Sequence, residues 1–363
     1  MNNHSVFNFC AGPAALPKPV MQQAQAEFLD WRGLGVSVME VSHRSSEYQE
    51  LANKAESDFR ELLKISDDYA VLFMHGGATH QFSNLPMCLL SDGQEAEYIV
   101  NGVWSSKAAV EATRYGQVNR IDALFKQGSS FSLIDSSDWQ RSQSPIYTHY
   151  TQNETIEGLR FPQAVKSNGA VVADMSSSIL SEVLNIDDYD FIYAGAQKNV
   201  GPAGMTIVIV KRQLVEQMDF TRIPRVFNYQ LQIEQGSMLN TPPTYTWYLA
   251  ALVFEWVIAN GGVEAMEHSA IEKSQLLYEC IDMDDFYTNP VEIQYRSRMN
   301  IPFILADSKL NETFLSKAKK AGLIGLKGHR SVGGMRASLY NSMPVDGVKA
   351  LVDFMLHFKQ QNG

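Results

Sequence analysis

AVVADMSSSILSEVLNIDDYDFIYAGAQKNVGPAGMTIVIVK, residues 170–211, is the stretch on which the fold turns. Two short apolar runs, AVVA (170–173) and FIYA (191–194), each lead into a residue with chemistry: Asp174 after the first, Gln197-Lys198 after the second. Short apolar runs bounded by turn residues read as buried strands. A third run, MTIVIVK (205–211), follows closely enough to be an antiparallel neighbour. In open α/β sheets, ligand groups gather at the carboxyl ends of the strands, so Asp174 and Lys198 are expected on one edge of one sheet. The small residues Ala194, Gly195 and Ala196 before Lys198, and Gly201 and Gly204 after it, leave room for a flat ligand against the backbone. Few charges surround Lys198, so burial would lower its pKa and favour the free amine.

Working outward, YAVLFM (69–74) is another buried strand, followed by Gly76-Gly77-Ala78-Thr79 and a helix over residues 81–90. A strand at 96–100 and helices at 22–31, 47–63 and 105–115 continue the alternation, which reads as α/β with a largely parallel sheet. Residues 244–259 form a long apolar helix introduced by Pro242-Pro243 and closed by Asn260-Gly261-Gly262. The domain change is placed just after it. The remainder mixes a helix from 263, strands at 299–304 and 335–340, and helices at 312–321 and from 345, an α+β pattern.

A lysine for an imine, a carboxylate to keep a pyridine nitrogen protonated, and a small-residue turn opening a helix to hold a phosphate are what pyridoxal 5'-phosphate (PLP) needs. Gly76 to Thr79, Asp174 and Lys198 supply them in chain order. Singly they read as a turn, a cap and a surface lysine; their order after successive strands raises PLP binding as one candidate reading without deciding it.

The 363 residues exceed what one core usually serves, so two domains are expected. A net charge of −10 with no basic run argues against nucleic acid or an anionic membrane as partner, but leaves room for an anionic small molecule in a locally positive pocket. Cys10, Cys88 and Cys280 are too few and too widely spaced for a disulfide framework or a zinc site, so no metal is expected. The start, MNNHSVFNF, has no signal-peptide pattern, and no apolar stretch is long enough for a membrane span. A cytoplasmic protein is expected.

Longer stretches resemble the phosphoserine aminotransferase family of class-V PLP-dependent enzymes. They are NFCAGPAALP (8–17), GVSVMEVSHRS (35–45), residues 174–204, NTPPTYTWYLA (240–250), SRMNIPF (297–303) and GHRSVGGMRASLYNSMP (328–344). Order and separations agree over essentially the whole chain. The resemblance implies the PLP-dependent transferase fold, aspartate aminotransferase-like (fold type I). It implies a large domain (17–260) with a mixed, mostly parallel seven-stranded sheet, a small α+β domain (1–16 with 261–363), and a homodimer with shared active sites.

The resemblance also implies residue roles. Lys198 would carry the cofactor covalently, Asp174 would face its ring nitrogen, Trp104 would stack on the ring, and Thr155 would bond near the ring oxygen. Ala78, Thr79 and Gln197 would hold the cofactor phosphate, joined by Asn240 and Thr241 of the partner subunit. Arg336 would clamp the substrate α-carboxylate, since its planar fork suits that group. His43-Arg44 and His329-Arg330 would receive the distal phosphate. The reaction implied is amino transfer between glutamate and 3-phosphohydroxypyruvate, giving O-phosphoserine and 2-oxoglutarate, with a four-carbon homologue in pyridoxine synthesis as a further substrate.

One departure is that Thr79, with His80 beside it, stands where some family members carry arginine. Other readings are an alanine- or serine-glyoxylate type aminotransferase of the same fold, or a non-catalytic PLP-fold binding protein. A cysteine desulfurase needs a reactive cysteine in a late mobile loop, whereas the last one, Cys280, lies in the apolar helical LLYECIDM. No phosphate-loop motif of a nucleotide binder is present.

Overall fold

The computed structural model describes residues 6–128 and 130–363; residues 1–5 of the proposed small domain lie outside them. Seven strands form the main sheet: β1 (Tyr69–His75), β2 (Glu95–Val100), β3 (Gln117–Asp122), β4 (Tyr147–Thr151), β5 (Ala170–Asp174), β6 (Phe191–Gly195) and β7 (Met205–Lys211). Their spatial order is β1-β7-β6-β5-β4-β2-β3. β7 runs antiparallel to both β1 and β6, and the other neighbours are parallel. The short 195–205 connection forces that reversal, because a parallel return needs a crossover of a dozen or more residues.

One face of the sheet is covered by α2 (Ser46–Leu63) and α5 (Thr244–Ala259), the other by α3 (Ala78–Leu89) and α4 (Val103–Ala112). α2 begins where the Ser45 hydroxyl accepts from Tyr48 N, and it buries Leu51, Ala55, Phe59 and Leu62 at helical spacing. Phe59 packs on Phe254 of α5 with ring centroids 5.1 Å apart, and Trp247 stacks on Phe73 of β1 at 4.6 Å. α5 is apolar nearly all round because it is enclosed on nearly all sides. Among the described residues no single helix is long and apolar enough to cross a membrane.

Beyond α5 come α6 (Gly262–Ile281), a three-stranded antiparallel sheet of β8 (Tyr287–Thr288), β9 (Asn300–Leu305) and β10 (Met335–Ser338), then α7 (Asn311–Lys320) and α8 (Val345–Asn362). Phe7 and Asn8 pair in parallel with Leu323 and Ile324. Phe9 is buried in the same apolar cluster as Phe303, Phe314, Leu351 and Phe358. The chain start therefore packs with its end.

Some elements differ from the sequence reading. The helix expected at 22–31 is α1, Lys18–Ala26. It starts earlier because Pro17 and Pro19 sit at its opening, where a missing N–H costs nothing. β3 and β4 were not marked by apolar runs, since QVNRID and YTHYT are largely polar.

Candidate active site

β5 and β6 end side by side, with Asp174 directly opposite Tyr193 in the register. Just beyond Gly195 the chain turns tightly, Lys198 N donating to Ala196 O at 2.7 Å and Gly201 N to the same carbonyl at 2.8 Å. These turns bring Asp174 and Lys198 to one cavity of about 110 Å³, lined also by Gly77, Ala78, Thr79, Trp104, Thr155 and Gln197. Eight of the residues singled out in the sequence thus meet in one place.

Lys198 Nζ donates to Thr155 Oγ1 at 2.6 Å. Burial lowers its pKa to about 8, opposed by the charges of Asp174 and Glu154. Asp174 is 4% exposed, and burial raises its carboxyl above the usual range. Ser176 N at 2.9 Å and Ser176 Oγ at 2.6 Å donate to it and oppose that rise, as do the charge of Lys198 and, to a lesser degree, the Tyr193 hydroxyl. Arg336, on β10 of the C-terminal part, reaches the same turn, its Nη1 donating to Thr155 O at 3.1 Å.

Trp104 is the second residue of α4, and Lys107 Nζ lies 4.4 Å from the centre of its ring. Glu154 fixes the start of that helix by accepting from Trp104 N (3.1 Å), Ser105 N (2.8 Å) and Ser105 Oγ (2.7 Å). A carboxylate at a helix N-terminus satisfies amides that would otherwise lack partners. The turn Asn153 to Glu157 therefore ties together Trp104, Lys198 and Arg336.

The small residues around Lys198 do different work from that expected. A Cβ on Gly195 would lie 2.7 Å from Gln197 Oε1 and 3.4 Å from Ala78 N, so this glycine opens the cavity side. A Cβ on Gly201 would instead meet Ala250 at 3.4 Å, and Gly204 faces Thr246. These two glycines make room for α5 and not for a ligand.

His43, Arg44, Asn240 and Thr241 do not line the cavity. His43 and Arg44 lie just before α2, with His43 O accepting from Gln49 Nε2 at 2.6 Å. Thr241 O lies 2.9 Å from His75 Nε2 at the end of β1. Neither Asn240 nor Thr241 caps α5, whose N-cap is Pro243. His329 and Arg330 occupy the turn before β10, and burial together with Arg336, Arg330 and Lys107 lowers the His329 pKa. His80 folds over Gly76, its Nδ1 accepting from Gly77 N at 3.1 Å, so this ring is engaged in closing the turn. Cys280 is buried, and burial pushes its thiol up to about 11, which leaves it inert.

Thr151, Asn153, Ser176 and Ser177 also line the cavity, and sequence reasoning missed them. A signal existed for Ser176, two residues after Asp174, where an aspartate commonly accepts from the turn it opens. Thr151 and Asn153 follow a polar strand and gave none.

The donor set fits PLP. An amine and a buried carboxylate face one small cavity, and α3 opens at it with an N-cap, Gly77, that offers no side chain to the first amides. The Thr151 hydroxyl and Trp104 Nε1 are buried without a partner, as expected of groups that await a polar ligand.

A seven-stranded sheet of this order with a lysine and an aspartate at its strand ends defines a fold type I PLP enzyme, and the aminotransferase class-V family profile matches residues 6–351. The chain belongs to that family. It is 51% identical over 357 residues to the phosphoserine aminotransferase of Acinetobacter baumannii, covering 98% of this chain and 99% of that protein. It is also 51% identical over 359 residues to that of Pseudoalteromonas translucida, at 99% of each. The solved phosphoserine aminotransferase of Bacillus circulans subsp. alkalophilus superposes with a TM-score of 0.94 at 41% identity, covering 99% of both chains. The PLP-bound phosphoserine aminotransferase of Trichomonas vaginalis superposes at 0.92 with 35% identity, covering 97% of this chain and 99% of that one.

Proposed function

We propose that this chain is a PLP-dependent phosphoserine aminotransferase of serine biosynthesis, moving an amino group between L-glutamate and 3-phosphohydroxypyruvate to give O-phospho-L-serine and 2-oxoglutarate. The observation that carries the reading is that Lys198, Asp174 and Thr155 line one cavity, with Lys198 donating to the Thr155 hydroxyl and Arg336 to the Thr155 carbonyl.

Bound there, PLP supplies an aldehyde for imine exchange and a cationic ring that takes up electrons from the substrate α-carbon. Asp174 holds the proton on the ring nitrogen. Lys198 would hold the cofactor and, as free amine, would move the α-proton as base and then as acid, and its pKa of about 8 keeps a useful share as free amine near neutrality. Thr155 steadies the lysine, and Trp104 covers one face of the ring. Gln197 and the amides of Ala78 and Thr79 hold the cofactor phosphate at the start of α3. Arg336 grips the α-carboxylate common to both substrates. His329-Arg330 and His43-Arg44 receive the distal group, a carboxylate in one substrate and a phosphate in the other.

We further propose a homodimer in which Asn240 and Thr241 reach the phosphate of the other subunit's cofactor, and His43-Arg44 its substrate. Their absence from the cavity of their own chain supports this. So does the run of exposed apolar side chains Phe28, Leu29, Leu34, Val36 and Met39 just before His43. The division into a large domain (17–260) and a small one (1–16 with 261–363) agrees with the separate apolar cluster around Phe303. Three free cysteines suit the cytoplasm. The four-carbon phosphorylated homologue of pyridoxine synthesis is proposed as a second substrate, since its acid and phosphate ends match the same two anion sites.

The test is a half-reaction screen. Purified protein should be yellow, borohydride should fix the cofactor onto the peptide containing Lys198, and O-phosphoserine should bleach the visible band faster than alanine or serine does. A colourless protein, or equal rates for all amino acids, would refute the assignment.

A further inference from the structure

Behind Asp174 runs a line of polar side chains that the reaction described above does not use. β4, β5 and β6 are neighbours, with Tyr193 across from Asp174 and His149 across from Val172. The Tyr193 hydroxyl lies on the Asp174 side of the sheet and is one of the groups that pull the Asp174 pKa down, and His149 Nε2 lies 2.7 Å from that same hydroxyl. His149 and Tyr193 are 1% and 0% exposed. The imidazole is stacked between Tyr98 and Tyr193, at centroid distances of 4.7 and 5.8 Å.

The direction of these bonds is fixed by counting protons. An ionised carboxylate only accepts, so with Asp174 ionised Tyr193 can turn its one proton to it only by accepting from His149. His149 then carries its proton on Nε2, and Nδ1 is bare. Nδ1 is the ring nitrogen that meets no partner, a state a bare nitrogen tolerates better than an N–H. Burial holds His149 neutral, with its pKa down at about 3.

Burial by itself would drive Asp174 towards the neutral acid. In a dry site such a carboxylate would take the proton from a pyridinium nitrogen and become the neutral acid, and the ring would lose its positive charge. Donors to the carboxylate oppose that transfer. We propose that Tyr193, with His149 behind it, is a positioning pair that holds Asp174 as an anion, so that the ring-nitrogen proton stays on the cofactor. This rests on the PLP reading above.

The test loads parent and variant proteins with PLP carrying nitrogen-15 in the ring, and reads the ring-nitrogen chemical shift and the cofactor Kd at one pH. Tyr193→Phe should move the shift towards that of unprotonated pyridine and weaken cofactor binding about tenfold, the typical effect of losing a hydrogen bond to a charged group. His149→Phe keeps the aromatic stack and should move both readouts the same way by less. The double variant should match Tyr193→Phe alone, because His149 acts only through the hydroxyl. Tyr98→Phe removes another buried hydroxyl of the stack, the one 2.7 Å from Tyr147 Oη, and should leave the shift unchanged.

A parent-like shift in Tyr193→Phe, additive single effects, or an equal shift in Tyr98→Phe would overturn the proposal. Should Tyr193→Phe fail to fold, His149→Phe compared with Tyr98→Phe decides it in the same way. A parent protein that takes up no labelled cofactor would instead overturn the PLP reading.

Discussion

Lys198 and Lys273 are both lysines whose ammonium form is disfavoured by burial, with pKa values lowered to about 8 and about 7. Their surroundings differ in every other respect. Lys198 has one side-chain partner, Thr155 Oγ1, a buried carboxylate nearby and a cavity in front of it. Lys273, on α6 in the C-terminal part, is 1% exposed, and its Nζ donates to Tyr340 O and Met343 O at 2.9 Å each. It is enclosed and pins a turn. That turn matters to the fold: Tyr340 Oη donates to Ala11 O, Asn341 N to Asn199 Oδ1 and Ser342 Oγ to Ala15 O, joining both ends of the chain to the segment after Lys198. A depressed pKa therefore marks burial. A reactive lysine needs, besides that, an open approach and a partner that lets go.

The largest expected effect separates the two lysines. Lys198→Ala should lower turnover by roughly 10³-fold or more while the protein stays folded, since it removes the proposed covalent anchor and proton carrier. Lys273→Met should leave turnover per folded molecule within about twofold. It should lower unfolding stability by about 1–3 kcal/mol for each carbonyl left without a donor. Steady-state assays paired with urea unfolding check both, and a Lys273→Met protein that is stable yet inactive would break the comparison.

Next in size is Asp174→Ala, with a fall of roughly 10²-fold in kcat and weaker PLP retention, because the ring nitrogen loses the charge that keeps it protonated. Unaltered PLP retention would count against the role given to Asp174. Arg336→Lys should raise KM for glutamate and O-phosphoserine alike, by about tenfold, since a point charge replaces a two-pronged grip; a rise for only one substrate would move Arg336 to the distal pocket. Arg330→Ala should be more selective, costing phosphoserine turnover about tenfold more than turnover of an amino acid with an uncharged side chain. Equal losses would take it out of the phosphate pocket.

The smallest effect is on pH dependence. Between about pH 7 and 10 the unfolded chain binds a proton that folded Lys273 has lost, so this residue makes stability rise with pH through that window. Urea midpoints of the PLP-loaded protein should therefore climb more steeply from pH 7 to 9 than those of Lys273→Met, and parallel curves would show that Lys273 keeps its ordinary pKa in the fold.

Much of the site was legible because its chemistry sits at strand ends. Asp174 follows AVVA and Lys198 follows FIYA, and an apolar run that stops at a polar residue carries its own boundary. Trp104, Thr155 and Arg336 were reachable only through family resemblance. Each comes from a different element and meets the others through the turn after β4. β4 itself, YTHYT, escaped notice because its polar side chains are buried with partners from neighbouring strands, such as Tyr193 for His149. No local pattern announces a polar residue whose partner lies 44 positions away.

The sequence by itself determined the alternation of strands and helices, the reversal of β7, and the candidacy of Asp174 and Lys198, because these depend on spacing, apolar runs and turn lengths within a few residues. Tertiary structure alone decided that Lys273, in the ordinary helical stretch SAIEKSQLL, is as buried as any core residue, that Gly201 makes way for α5, and that His43, Arg44, Asn240 and Thr241 stand away from their own chain's cavity. Burial and partnership are properties of whatever packs against a residue, and the chain brings those neighbours from far along its length.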